Sequence, residues 1–291
     1  MPPTFTRFAA VDWSGAVGPR QRGIAVATCG PGDEAPALVR PGHIWSREEA
    51  LAWTLDATAN EAVLIGFDLS PTFPFHDAGA YFPGWDASPP DARALWSMVE
   101  RITAADPHMS ASSFVDHVDA SRYFRRHGGR QGDRFGTGRG RLRVVEQASL
   151  EQRIASPYSC FNLVGAAQVG KSSLTGMRLF RRLDGRVPIW PFDRLPDTGP
   201  VVVEIYTSLA AVAAGIPKGR AKMRDGFALD AALARLNTRP HAPLTRYDDH
   251  ATDALLSAAW LRTISGDARY WNPEKLTPRV AQTEGWTFGV L

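Results

Sequence analysis

Phe8-Ala9-Ala10-Val11-Asp12-Trp13-Ser14-Gly15 is the stretch on which the reading of the whole chain turns. Apolar residues run unbroken from Phe8 to Val11, which suits a strand covered on both faces, and Ser14-Gly15 supplies a tight exit. Asp12 then stands at a strand end. There a sheet stops burying side chains and offers them to ligands, so a carboxylate can reach a metal or a phosphate without the cost of deep burial. A turn aspartate bonding its own backbone is the other reading of the same residue.

Working outward, Gly23 to Cys29 reads as a second strand after a turn at Gly18-Pro19, and Ala37 to Trp45 as a third, making a meander. Ser46 with Glu49 forms a capping box for a helix to about Ala59. Ala62 to Asp68 is a fourth strand that again finishes on a carboxylate. The order is β-β-β-α-β. Strands joined through a helix run parallel, so the first and fourth can lie side by side about 4.8 Å apart, with Asp12 and Asp68 neighbours at one sheet edge. Further on, the pattern predicts an ordered cover loop over Leu69 to Pro90 and a helix over Pro90 to Ala105. It then predicts strands at Phe161 to Val164, Val187 to Phe192 and Val201 to Tyr206. Helices are expected at Ser172 to Arg182, Leu209 to Ala214 and Phe227 to Leu236, with a last one from about Tyr247 through Trp260.

With 291 residues, 44% of them apolar, the chain has enough material for a proper core. No apolar run reaches the length of a membrane span and Met1 to Arg7 has no export signature, so the expected compartment is the cytoplasm, with no membrane partner. Cys29 and Cys160 are far apart and lack metal-ligand spacing, as befits core thiols. The formal charge of +3 is unevenly placed. Between Ser121 and Arg143, eight arginines (122, 125, 126, 130, 134, 139, 141, 143) face the single acid Asp133, a local +7 that leaves −4 on the rest of the chain. Interleaved glycines make this an arm that does not bury itself and is ordered by phosphate, unless it is simply a solvated loop. Its Arg122, Arg125, Arg126, Arg130, Arg134, Arg139 and Arg141, together with Lys171, are the candidate nucleic-acid contacts.

Asp249 and Asp253 stand four apart on the last helix and share a face, with Ala254, Ala258 and Ala259 allowing close approach to a sheet. Asp249 also fits an N-terminal dipole partner. Carboxylates at two adjacent strand ends and on a late helix form an oxygen-ligand set for Mg²⁺ or Mn²⁺, with Asp12, Asp68, Asp253 and Asp249 as the candidate metal ligands. Without a cation their mutual repulsion raises at least one pKa. Glu204, at the end of Val201-Val202-Val203, fits either a ligand or an ion-pair partner of Lys218, Arg220 or Lys222. His250 fits either a proton shuttle or an ordinary first-turn histidine.

The blocks Val11-Asp12-Trp13-Ser14-Gly15, Ile65-Gly66-Phe67-Asp68 with Pro71 and Pro74, Val203-Glu204-Ile205-Tyr206, and His250-Ala251-Thr252-Asp253-Ala254-Leu255 resemble those of the domain-of-unknown-function 429 family of RNase H-like nucleases. The last block is also similar to the closing helix of RuvC-type resolvases. The resemblance implies an RNase H-like mixed-sheet α/β fold, metal-dependent phosphodiester hydrolysis, and catalytic roles for Asp12, Asp68, Glu204 and Asp253. The expected layout is one domain over residues 1–291, with residues 69–159 an inserted cover loop, helix and Arg/Gly-rich arm.

Three readings compete. Gly165-Ala166-Ala167-Gln168-Val169-Gly170-Lys171-Ser172 satisfies the G-x-x-x-x-G-K-[ST] pattern of a P-loop nucleoside triphosphatase, with Val201 to Glu204 as its acidic strand. It comes late, after a coherent sheet plan, and Gly176 interrupts the helix that would follow. The Asp-x-Ser-Gly turn at Asp12 is similar to the phosphate loop of sugar kinases and actin-like ATPases, which carry a second phosphate motif not found here. A non-catalytic nucleic-acid-binding module accounts for the arginine arm and leaves the acids unexplained.

Overall fold

The N-terminal apolar run forms β1 (Arg7–Asp12), buried from Phe8 onward, in a computed structural model that describes residues 1–165, 169–217 and 223–291. β1 pairs antiparallel with β2 (Ala25–Cys29), which pairs antiparallel with the short β3 (Ala37–Leu38). Helix α1 (Arg47–Asn60) returns the chain to β4 (Val63–Asp68), parallel to β1. β5 (Val201–Ile205) then adds parallel to β4. Among the described residues this gives a five-stranded mixed sheet in the order β3-β2-β1-β4-β5, the arrangement of an RNase H-like core. The register sets Asp12 directly beside Asp68.

Between β4 and β5 lie α2 (Ala92–Ile102), α3 (Ser112–Asp116), α4 (Val144–Glu151) and α5 (Val169–Leu183). After β5 come α6 (Thr207–Ala213), α7 (Gly226–Arg235), α8 (Asp249–Ile264), α9 (Ala268–Trp271) and α10 (Pro278–Thr283). Strand side chains alternate between two layers. Ala9, Val11, Ile65, Phe67 and Val202 share a core with Ala50 of α1, Trp96 of α2 and Phe180 of α5. Phe8, Ala10, Leu64, Val203 and Ile205 share the opposite one with Leu209, Leu233 and the alanine-rich face of α8. Gly66 is what lets α8 settle: a Cβ there would stand 2.8 Å from Leu261 and 2.7 Å from Ile205.

Two of the expected strands do not form. Residues 187–192 carry Pro188 and Pro191, which offer no amide to a ladder, and only Ile189 bridges to Val202. Residues 161–164 form no strand of the sheet; Asn162 makes an isolated bridge to Arg125. The third strand is also shorter than its sequence suggests, because Pro41-Gly42 turns the chain away after Leu38, although Trp45 still bridges Gln21.

The capping box of α1 is built as expected. Glu49 N donates to Ser46 Oγ at 3.0 Å and Ser46 N donates to Glu49 Oε2 at 2.8 Å. That bond and the one from Arg20 hold the Glu49 carboxyl down at about 2. Because the folded value lies below the ordinary one, Glu49 stabilises the fold above about pH 4.5 and loses that contribution as pH falls toward 2. Ser46→Ala should cost about 1 kcal/mol in urea unfolding at pH 7. Glu49→Gln should flatten the acid limb of the stability profile in that window.

Candidate active site

Asp12 and Asp68 occupy the C-terminal ends of adjacent parallel strands, on the sheet face that carries Ala10, Leu64 and α8. Asp12 is buried, and its Oδ2 accepts from His250 Nδ1 at 2.9 Å. Desolvation pushes the Asp12 carboxyl up against the opposing pull of His250, and Asp248 and Asp249 push it further. The same bond raises the His250 imidazolium pKa. Asp68 accepts from the Thr207 backbone N–H at 3.4 Å and from Thr207 Oγ1 at 3.1 Å. Its carboxyl is held well above the ordinary range by desolvation first, then by the charges of Asp12 and Asp253. Asp68 therefore lies in the field of two acids from opposite ends of the chain.

Asp249 sits beside them in the first turn of α8, where it is paired with Arg224 at 3.2 Å. Asp248, one residue earlier, is the N-cap, its Oδ1 accepting from Ala251 N at 3.0 Å. Asp249 thus occupies the first-turn position that suits a dipole partner, while Asp248, with extended backbone, holds the cap.

Glu204 is not brought into this group. It follows Val202 on the other face of β5, and its Oε1 accepts from Arg143 Nη2 at 2.5 Å and from Thr287 Oγ1 at 2.7 Å, while its Oε2 accepts from Arg143 Nη1 at 2.9 Å. Its partner is thus the last arginine of the basic segment. The expected partners 218–222 lie outside the described residues. Glu204 and Asp68 still line one cavity of about 590 Å³ along the strand ends, with Trp13, Ser70, Arg125 and Tyr206. On the other side of Asp12, His250 borders a second cavity of about 630 Å³ with Arg22, Arg40, His43 and Arg246.

Carboxylate oxygens suit a hard divalent ion in kind. Among the described residues no three His, Cys, Asp or Glu side chains close into a ready cage.

The arginine segment is folded onto the body rather than left as a bare arm, because Tyr123 and Phe124 are buried in an aromatic cluster with Phe73, Phe82 and Phe161, and Phe135 is buried as well. Several arginines are spent internally. Arg141 bonds Asp77 and the carbonyls of Pro74, Ala80 and Tyr81, and Arg122 makes a two-point pair with Asp133. Arg139 donates to Pro157 O and lies over the Tyr158 ring, and Arg134 stands 3.8 Å from Asp133. Arg125 and Arg130 are exposed, and Arg126 pairs with Asp116 at 3.0 Å.

The P-loop-like segment includes residues 166–168, outside the described ones. Among the described residues no sheet strand leads in, and Ser172 Oγ donates to Val169 O at 2.8 Å. Instead the start of α5 is a bearing for the turn after β1. Trp13 Nε1 donates to Thr175 Oγ1 at 3.0 Å, and a Cβ on Gly15 would stand 2.2 Å from the Lys171 carbonyl carbon. Gly15→Ala must therefore move backbone, and we expect a loss of about 1–3 kcal/mol in stability, read by urea unfolding.

Comparisons with family models, with curated proteins and with solved structures give no match to this chain. Among the described residues no helix is long and apolar enough to cross a membrane. Sequence reasoning missed Thr207 and Arg143. Thr207 opens α6 one residue beyond the third acid-bearing strand, and a hydroxyl opening a helix was the signal available. Arg143 was counted with a charged run, and nothing local distinguishes it.

Proposed function

We propose that this chain is a cytoplasmic, divalent-metal-dependent nuclease of the domain-of-unknown-function 429 family. The observation that carries the reading is the register match of Asp12 and Asp68 on β1 and β4, with Asp253 near enough that its charge and that of Asp12 both oppose ionisation of Asp68. Such a group is costly without a cation and useful with one. Asp12, Asp68 and Asp253 would hold Mg²⁺ or Mn²⁺. When bound, the ion supplies charge that activates water and stabilises the leaving oxygen in phosphodiester hydrolysis.

The chain's own residues do the rest. Thr207 fixes the Asp68 carboxylate through two donors, and His250 fixes one oxygen of Asp12 while keeping a partly exposed ring toward the Arg22 and Arg246 cavity. Arg125 on one side and Arg22, Arg40 and Arg246 on the other place positive charge on both flanks of the acids, as a polyanion crossing the strand ends requires. The test is incubation of labelled single- and double-stranded DNA and RNA with Mg²⁺ or Mn²⁺, or with chelator. Cleavage should need the metal and be absent from Asp12→Asn. Intact substrates under every metal condition would overturn the reading.

A further inference from the structure

Behind the Gly15 turn lies a smaller cavity of about 210 Å³ that the acid site does not use. Gly15 forms part of its wall, and Lys171, Arg126, His127 and Arg130 line it, with Asp116 the acid among them. Arg126 Nη1 donates to Asp116 Oδ1 at 3.0 Å and to Val115 O at 3.3 Å, but its Nε–H is buried with no hydrogen-bond partner. A buried guanidinium N–H without a protein acceptor is costly, and an anion oxygen in this cavity would supply one. Lys171 Nζ lies 3.3 Å from His127 Nε2, and Arg130 Nε donates to the His127 carbonyl at 3.2 Å. Among the described residues neither Lys171 nor Arg130 is paired with an acid.

Three cations against Asp116 leave about +2 in the pocket, which matches the roughly −1.5 to −2 of a phosphomonoester and exceeds the −1 of an internal phosphodiester. The volume is below the roughly 300 Å³ at which pockets begin to enclose whole organic ligands, so the occupant is a small anionic group. Position adds the last step. Gly15 follows Asp12 by three residues, which caps their Cα separation at about 11 Å, and its contact with the Lys171 backbone makes the two sites share a wall.

We propose that this pocket binds the terminal phosphate of a nucleic-acid strand and so sets the distance from a strand end at which the Asp12 edge acts. The identity of the bearer as a nucleic acid rests on the nuclease reading; the preference for a monoester does not. The test is fluorescence anisotropy in chelator with otherwise identical oligonucleotides ending in a 5′-phosphate, a 3′-phosphate or hydroxyls only, alongside calorimetric titration with inorganic phosphate.

One phosphorylated end should bind about tenfold or more tightly than the hydroxyl-ended strand. That preference, read as the ratio of phosphorylated-end to hydroxyl-end affinity within one variant, should vanish in Lys171→Met and in Arg130→Gln. Two exchanges guard against a folding defect in either. Equal binding of all ends by the wild type, a preference that survives both substitutions, or binding of inorganic phosphate without any end preference would each overturn the proposal. End preference without cleavage would unseat the nuclease and keep the pocket; metal-dependent cleavage without end preference would do the reverse.

Discussion

Asp68→Asn should lower metal-dependent cleavage by at least about 10³-fold, roughly 4 kcal/mol of transition-state stabilisation, while making the metal-free protein more stable. Both halves come from one arrangement. The Asp68 carboxyl is held well above its ordinary pKa by desolvation and by Asp12 and Asp253. With the folded value raised, ionising Asp68 favours the unfolded chain, so in chelator wild-type stability declines as pH rises from the ordinary carboxylate range through that raised value. The amide removes this decline: its oxygen can accept from Thr207 N, and its NH2 can donate to Thr207 Oγ1 once that hydroxyl turns round. Melting in chelator should therefore show the variant above the wild type at pH 8. Added Mn²⁺ should reverse the order. Binding at a hundredfold over Kd stabilises the wild type by about 2.7 kcal/mol and should leave the variant largely unmoved. A variant that loses cleavage but melts lower than the wild type in chelator would mean that Asp68 is a structural acceptor for Thr207.

The parts of this site that could be read in advance are those governed by local rules. Asp12 and Asp68 each close an apolar run, and the β-β-β-α-β order makes their strands parallel neighbours, so their pairing follows from topology alone. Asp253 followed from helical spacing and its alanine-rich surroundings. Glu204 also closes an apolar run, yet it leaves the group, because alternation along β5 turns it to the opposite layer; which face an end residue takes depends on register with β4. The arginine segment misled for a related reason. Its charge is conspicuous in the sequence, whereas Tyr123 and Phe124, which anchor it, find their partners in Phe73, Phe82 and Phe161 at long range. Arg141 and Arg143 look like their neighbours until the carbonyls and carboxylates around them are seen.

Arg143 carries the largest expected effect on stability. It is fully buried: Nε donates to Glu146 Oε1 at 2.8 Å, Nη1 and Nη2 donate to Glu204, and Ser70 and the Glu284 carbonyl accept as well. The Glu284 carboxylate lies alongside, satisfied by the backbone amides of Phe75, His76 and Val144. Arg143→Met fills similar space but strands Glu146 and Glu204 as unpaired buried carboxylates. We expect a cost of about 3–5 kcal/mol at pH 7.5, by urea unfolding.

The pH dependence separates this from a packing defect. Burial already pushes the Glu146 carboxyl up to about 6, despite the pull of Arg143. Its folded pKa lies above its unfolded one, so protonation favours the fold, and the wild type gains on the order of 2 kcal/mol from this group as pH falls from about 6 toward 4.5. Without the guanidinium the Glu146 carboxyl loses the charge that pulls its pKa down and takes up its proton at higher pH, so Arg143→Met should recover part of its loss by pH 5. Glu146→Gln should cost less than Arg143→Met at pH 7.5 and should abolish the wild-type gain between pH 6 and 4.5. A loss in Arg143→Met that is the same at pH 5 and 7.5 would show that the arginine acts through its volume, and that the two glutamates find other partners.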